Sequence, residues 1–201
     1  MKLFITGIGT DVGKTIVSAI LTEALEADYW KPIQAGELTT GDSHTVASLI
    51  SNSKTKIHPN SYALKTPMSP HAAAKIDGIT IDLKKIIPPK TKNSLVVEGA
   101  GGLLVPLNDT QTILDLIQPD YKVIVVSRHY LGSINHTLMT IQLLQQKGFD
   151  VSVIFNGTEN KTTESIIEKM TGVSVLGRID DEPYFDKNVV REYAEIFKGV
   201  L

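Results

Sequence analysis

The stretch KLFITGIGTDVGKTIVSAILTEAL, residues 2–25, decides how the chain is to be read. Leu3, Phe4 and Ile5 form a short apolar run of strand character, Gly7 to Thr15 is a glycine-rich turn, and the residues after it read as a helix. A tight turn leading from a strand into a helix aims backbone N–H groups at one point, and the helix N-terminus adds partial positive charge there, which suits a phosphate. Gly7, Gly9 and Gly13 let the backbone approach the oxygens, Lys14 can reach the β- and γ-phosphates, and the Thr15 hydroxyl can ligate Mg²⁺. Five residues separate Gly7 from Gly13 where the usual loop has four, so the motif is a longer variant. A nucleoside triphosphate site is the expectation.

Working outward, apolar β-rich runs recur along the chain as KLFIT, DYWKPI, SLVVEG, KVIVVS, DVSVIFNG and VSVLG, with helical spacing or length between several of them. That alternation predicts an α/β fold, a mostly parallel sheet flanked by helices on both faces, of the P-loop type that the opening motif indicates. Several runs are apolar throughout, as strands buried on both sides require. GSINHTLMTIQLLQQKG is the clearest crossover helix, with Ile134, Leu138, Ile141 and Leu144 on one stripe and Gly148 as the stop. Near the end, Val189, Val190, Tyr193, Ile196 and Phe197 fall at helical spacing, with Glu192 and Glu195 offsetting Arg191 and Lys198, so this helix is expected to pack on the fold. No repeat or linker divides the chain, and Pro88-Pro89 reads as a surface loop, so residues 1–201 are expected to form one domain.

Composition narrows the function. A formal charge of -2 gives no basic field for nucleic acid or an anionic membrane, and neither is expected as a partner. The absence of cysteine excludes disulfides, thiolate metal sites and a cysteine nucleophile. Leu3 to Ile5 is too short for a signal-peptide core and no later run approaches a membrane span, so a cytoplasmic location is expected.

Three charged residues outside the loop are candidates. Lys31 closes the run DYWKPI, where both a solvated lysine and a ligand-facing cation fit, because ligands collect at strand ends in open parallel sheets. Asp42 precedes a helical run, which suits an N-cap and also a carboxylate able to reach a metal. Glu98 follows a buried apolar strand and opens the turn Gly99-Ala100-Gly101-Gly102, a place for a second metal-holding acid beside backbone that another ligand group can approach.

Taken together, GIGTDVGKT, WKPIQAG, TPMSPHAAA, VVEGAGGLLVPL and LGSINHTLMT closely resemble the dethiobiotin synthetase family, in family order from residue 3 to about residue 157. The resemblance implies a homodimer with its active sites at the subunit interface. It also implies ATP-dependent conversion of 7,8-diaminononanoate and CO₂ to dethiobiotin, ADP and phosphate, through a carbamate that attacks the γ-phosphate and a second amine that displaces phosphate. By resemblance Lys14 and Lys31 neutralise the developing charge, and Thr15, Asp42 and Glu98 hold Mg²⁺. Gly7 to Ile16, Val12 and Gly13 among them, wrap the triphosphate, with Asp11 near substrate or nucleotide and Gly99, Ala100 and Gly101 beside it. Gly132, Ser133, Ile134 and Asn135 are expected to take the substrate carboxylate from the neighbouring subunit, next to Gly101 and Gly102, although Ser133 and Asn135 also suit helix capping.

The chain departs from the family pattern twice. Gln34-Ala35-Gly36 stands where a serine is common, so a substrate contact is either lost or moved to Gln34. VLGRIDDEP stands where relatives usually read Gly-x-Ile-Pro, which leaves Asn156, followed by Gly157, as the candidate for reading the base. The competing reading is a nucleotide-switched partitioning ATPase of the ParA or MinD kind, but those proteins usually carry an extra lysine where this chain has Thr6 and Ile8.

Overall fold

A computed structural model describes residues 1–201. The first half of the chain runs through β1 (Lys2–Gly7), α1 (Lys14–Leu25), β2 (Asp28–Trp30), β3 (Ile33–Ala35), α2 (Asp42–Leu49), β4 (Ile57–His58), β5 (Tyr62–Leu64) and α3 (Pro70–Ile76). The second runs through β6 (Leu95–Gly102), β7 (Lys122–Arg128), α4 (Ser133–Gln146), β8 (Asp150–Asn156), α5 (Lys161–Thr171), β9 (Ser174–Ile179) and α6 (Lys187–Lys198). Seven strands form one parallel sheet in the order β4-β2-β6-β1-β7-β8-β9. With β1 at the centre, the loop that follows it opens at the carboxyl edge of the sheet, where the strand order reverses and ligands bind in such folds.

Alternation along each strand builds two cores. Leu3 and Ile5 of β1, with Val96, Ile124, Val126 and Ile154, face α1, α2 and α6. Phe4, with Val97, Val123, Val125, Val153 and Phe155, faces the other side, where Ala73, Ile141 and Ile167 of α3, α4 and α5 cover it. Both faces of the sheet are dry, which is why the strands read as continuous apolar runs.

Three expectations need correction. DYWKPI is two strands: β2 ends at Trp30, and β3 leaves the main sheet to pair in parallel with β5. Pro32, which has no N–H for the ladder, lies at the break, and its carbonyl accepts from Ser61 and Tyr62 at 2.8 and 3.0 Å. The stripe of α4 runs through Ser133, Thr137, Ile141 and Leu144, whereas Ile134 is 37% exposed and Leu138 is half-buried. The first two turns of α4 are seated through Ser133 and Thr137, the Ser127 and Thr137 hydroxyls lying 2.8 Å apart, so the buried apolar stripe begins only at Ile141. In α6 the buried positions are Val190, Tyr193, Ala194 and Phe197, and Ile196 faces out. Gly148 follows the end of α4 with φ 81°, as expected of a stop, and residues 86–94 have no regular structure.

Candidate active site

The phosphate-type loop requires glycine at position 13. Gly13 sits at φ 97° as the N-cap of α1, and a Cβ there would stand 2.2 Å from the Asn156 side-chain nitrogen. That contact is close because Asn156, at the end of β8, donates through Nδ2 to the Val12 carbonyl at 2.8 Å and braces the loop from below. Lys14 opens α1, and its ammonium curls back to the Gly9 carbonyl at 2.8 Å. Burial lowers the pKa of Lys14, with Glu98 opposing the shift.

Beside the loop, four elements bring charges together. Thr15 comes from α1, Lys31 from the break after β2, Asp42 from the first turn of α2 and Glu98 from the middle of β6. The Thr15 hydroxyl lies 2.7 Å from Asp42 Oδ1 and 3.1 Å from Glu98 Oε1. The Lys31 ammonium bonds Asp42 and also Glu98 Oε1, the latter at 3.0 Å. Asn60 fixes the break by donating to the Lys31 carbonyl at 2.7 Å. Lys31 and Glu98 are 5% and 1% exposed, so neither is a solvated surface charge. Burial disfavours the Lys31 charge, but Glu98 and Asp42 more than offset it and raise its pKa. Burial likewise opposes the Asp42 charge, and Lys31, Thr15 and Lys14 together outweigh it, holding that carboxyl below the usual range. Asp42 does not cap its helix: Gly41 is the N-cap, and the carboxylate turns toward Thr15.

The donor set fits a hard cation. One hydroxyl and two carboxylates converge at the phosphate loop with no soft ligand among them, and Mg²⁺ is commonly held by one or two carboxylates together with substrate phosphates.

A cavity of about 840 Å³ runs past this cluster. Asp11, Gly13, Lys14, Thr15, Ile16, Lys31, Gln34, Ala35, Asp42, Glu98, Ala100, Gly101 and Asn156 all border it. Gln34 is held within its own loop, donating through Nε2 to the Gly36 carbonyl at 3.1 Å, while its Oε1 has no partner. Gly99 is turned inward, where a Cβ would meet Phe4 and Ile113 at 3.2 and 3.3 Å. Gly157 lies just past Asn156, its N–H bonded to the Ile179 carbonyl at 2.8 Å. Gly102, Gly132, Ser133, Ile134 and Asn135 do not border the cavity of their own chain. Gly132 is the N-cap of α4, and no side chain caps that helix.

Sequence reading gave no site role to two groups of lining residues. Pro67 to Pro70 lead into α3 and lie in TPMSPHAAA, which carried the family resemblance, and Pro70 is a favoured first helical residue. At the other end stand Arg128, Asp180, Asp181, Glu182 and Phe185. The polar groups there satisfy one another: Asp181 accepts from Arg128 at 3.1 Å and from the Thr158 backbone and hydroxyl at 2.9 Å, and Glu182 accepts from the Tyr193 hydroxyl at 2.7 Å.

Comparison with known proteins bears on this geometry. A family profile described as an AAA domain matches residues 1–189. The ATP-dependent dethiobiotin synthetase of Christiangramia forsetii is 60% identical over 98% of this chain and 96% of its own length. That of Cytophaga hutchinsonii is 54% identical over 96% and 95%. Among solved structures, the MinC:MinD cell division complex of Aquifex aeolicus aligns with a TM-score of 0.60 at 14% identity, covering 98% of this chain and 94% of that one. A putative plasmid partition protein of Borrelia burgdorferi bound to AMPPNP aligns with a TM-score of 0.60 at 13% identity, covering 100% and 97%. At that identity these two likenesses show the fold alone. The phosphate loop, the Lys31–Asp42–Glu98 cluster and the two close relatives agree, and the chain belongs to the ATP-dependent dethiobiotin synthetase family.

Proposed function

We propose that this chain is an ATP-dependent dethiobiotin synthetase, a cyclo-ligase that joins 7,8-diaminononanoate and CO₂ and closes the ureido ring. One amine of the substrate adds to CO₂ and loses a proton to solvent, giving a carbamate. A carbamate oxygen attacks the γ-phosphorus and ADP leaves, forming a carbamic-phosphoric anhydride. The second amine attacks the carbonyl carbon, and phosphate and a proton depart as the ring closes.

The reaction brings a carbamate anion against a triphosphate, so fixed positive charge is the main requirement. Lys14, at the first turn of α1, is suited to the β- and γ-oxygens, and Lys31 to the charge that builds on the transferring group. Thr15, Asp42 and Glu98 would hold Mg²⁺, which when bound neutralises phosphate charge. The backbone from Asp11 to Ile16 would wrap the phosphates, Ala100 and Gly101 would lie beside the reacting groups, and Gln34 and Ala35 would border the diamine. Asn156 and Gly157 would flank the base.

We also read the working unit as a homodimer. Leu131 is fully exposed and Tyr130, Ile134 and Met139 are 37–55% exposed, an apolar group around the start of α4. A partner packed there would bring Gly132 to Asn135 to the cavity of the neighbouring chain, where the free N–H groups of α4 suit a substrate carboxylate. Dependence on ATP is the basis for placing the enzyme in the cytoplasm.

The observation that carries the reading is the Lys31 ammonium held between Asp42 and Glu98 at the phosphate loop, in a chain 60% identical to a named dethiobiotin synthetase. Its test is product formation. ADP release should require both the diamine and bicarbonate, with dethiobiotin formed in equal amount; ADP release indifferent to the diamine would overturn the assignment.

A further inference from the structure

Tyr29 and Glu98 lie on neighbouring strands. Tyr29 stands opposite Val96 in the β2–β6 pairing, and Glu98 is two residues further along β6, on the same face because side chains alternate. The phenol spans that single step and donates to Glu98 Oε2 at 2.9 Å. Tyr29 is completely buried, so no water can take the place of its hydroxyl. The other carboxylate oxygen, Oε1, faces the opposite way and accepts from Thr15 and Lys31 at 3.1 and 3.0 Å. Packing alone does not call for this hydroxyl: Phe4, Phe155 and Phe197, the other aromatic side chains buried as deeply, are all phenylalanines.

We infer that Tyr29 is a positioning residue for the metal-holding carboxylate. Its phenol fixes Oε2 of Glu98 from behind, keeps Oε1 turned toward Thr15 and Lys31, and so sets how tightly the site holds a divalent cation. This rests on the reading of Thr15, Asp42 and Glu98 as the metal's ligands. Partners that orient ligating carboxylates typically change metal affinity by ~10–100-fold when removed. A buried carboxylate oxygen that loses its only donor has no solvent to replace it, and the carboxylate is then held from the Oε1 side alone, by Thr15 and Lys31.

The test is Mn²⁺ binding to the full chain in the presence of ADP, followed by electron paramagnetic resonance, for the wild type and Tyr29→Phe. Phe keeps the ring and its packing. The expected result is a metal dissociation constant raised on the order of tenfold, with metal-free ADP affinity little changed and a melting temperature lowered by about 2–12 °C, as one unsatisfied buried acceptor requires. A metal affinity within twofold of wild type overturns the inference. Equal losses of metal and metal-free ADP binding also overturn it, because they mark general disruption of the site. No diamine or bicarbonate is present, so failure of the synthetase reading would leave this measurement untouched.

Discussion

Replacing Lys31 by Met removes one charge and keeps most of the side-chain volume, which isolates the electrostatic role of the residue. The ammonium sits 3.0 Å from Glu98 Oε1 and also bonds Asp42. At an effective dielectric of about 20, one such contact is worth roughly 5 kcal/mol of gross attraction. Most of that is offset by the cost of burying the charges. Removing one member of a buried ion pair nevertheless costs roughly 3–5 kcal/mol, because the carboxylates left behind keep only neutral hydrogen-bond donors and lose their ion-pair partner. The Asp42 side chain keeps 31% exposure, which places the expected loss near the low end, about 3 kcal/mol. For a domain of this size that is a fall in Tm of about 6–12 °C at neutral pH. The pH dependence has a definite sign. Asp42 is held below the usual carboxylate range, so its pairing stabilises the fold above its unfolded pKa and the benefit fades as pH falls through the folded value. The Lys31 pKa is raised, so its share is present below the unfolded lysine pKa and is lost only as pH rises through the folded one. The gap between wild type and Lys31→Met should therefore be full between about pH 5 and 9 and close on acidification. Differential scanning calorimetry across pH, without nucleotide, reads this directly. A Tm within 2 °C of wild type at pH 7 would refute the reasoning, as would a gap that widens in acid. In the same variant kcat should fall on the order of 10² or more, since a group placed on developing charge is gone.

Gly13→Ala should weaken ATP binding on the order of 10²-fold, because Ala is strained at φ 97° and its Cβ would stand 2.2 Å from Asn156; adding Asn156→Gly should recover part of the loss, as calorimetric titration would detect. Mixing inactive Lys14→Ala protein with protein inactivated at Asn135 should restore part of the activity if the cavity is shared between subunits, and no recovery after verified subunit exchange would count against the dimer. Parallel assays with ATP, GTP, CTP and UTP should give kcat/KM within roughly tenfold of one another, a gap of about 1.4 kcal/mol, because Asp181, Glu182 and Asn156 are already bonded to Arg128, Thr158, Tyr193 and Val12. A thousandfold preference for ATP would mean that these groups exchange their partners for the base.

The parts of the fold governed by local rules were legible in the sequence. The loop from Gly7 to Thr15 carries its own chemistry, and strands buried on both faces show as unbroken apolar runs. The split at Lys31-Pro32 was hidden because Ile33 is as apolar as the strand before it, and only pairing with Tyr62–Leu64 reveals a second sheet. Ile57–His58 and Tyr62–Leu64 are too short to show any period. At the site, the residue types of Lys31, Asp42 and Glu98 pointed to metal and phosphate, but their meeting depends on segments 67 residues apart from Lys31 to Glu98. The role of Asn156 under the loop could not be read locally, since its partner Val12 is 144 residues away. The acids at 180–182 were noticed only as a departure from a pattern, because they are held at the cavity wall by residues distant in sequence: Tyr193 bonds the Asp180 N–H and Glu182, and Arg128 and Thr158 bond Asp181.

The central claim, that a carbamate oxygen attacks the γ-phosphate, has a direct test in the fate of oxygen. With ¹⁸O-labelled CO₂ supplied in ordinary water and the reaction quenched before the label exchanges, both oxygens of the carbamate carry ¹⁸O. One becomes the bridge to phosphorus and leaves with phosphate on ring closure, while the other stays in the ureido carbonyl. Mass spectrometry should find one ¹⁸O in each phosphate released and one in each dethiobiotin formed, in a reaction that requires the diamine. Phosphate carrying no ¹⁸O would mean that water attacks the triphosphate, and the account would be contradicted.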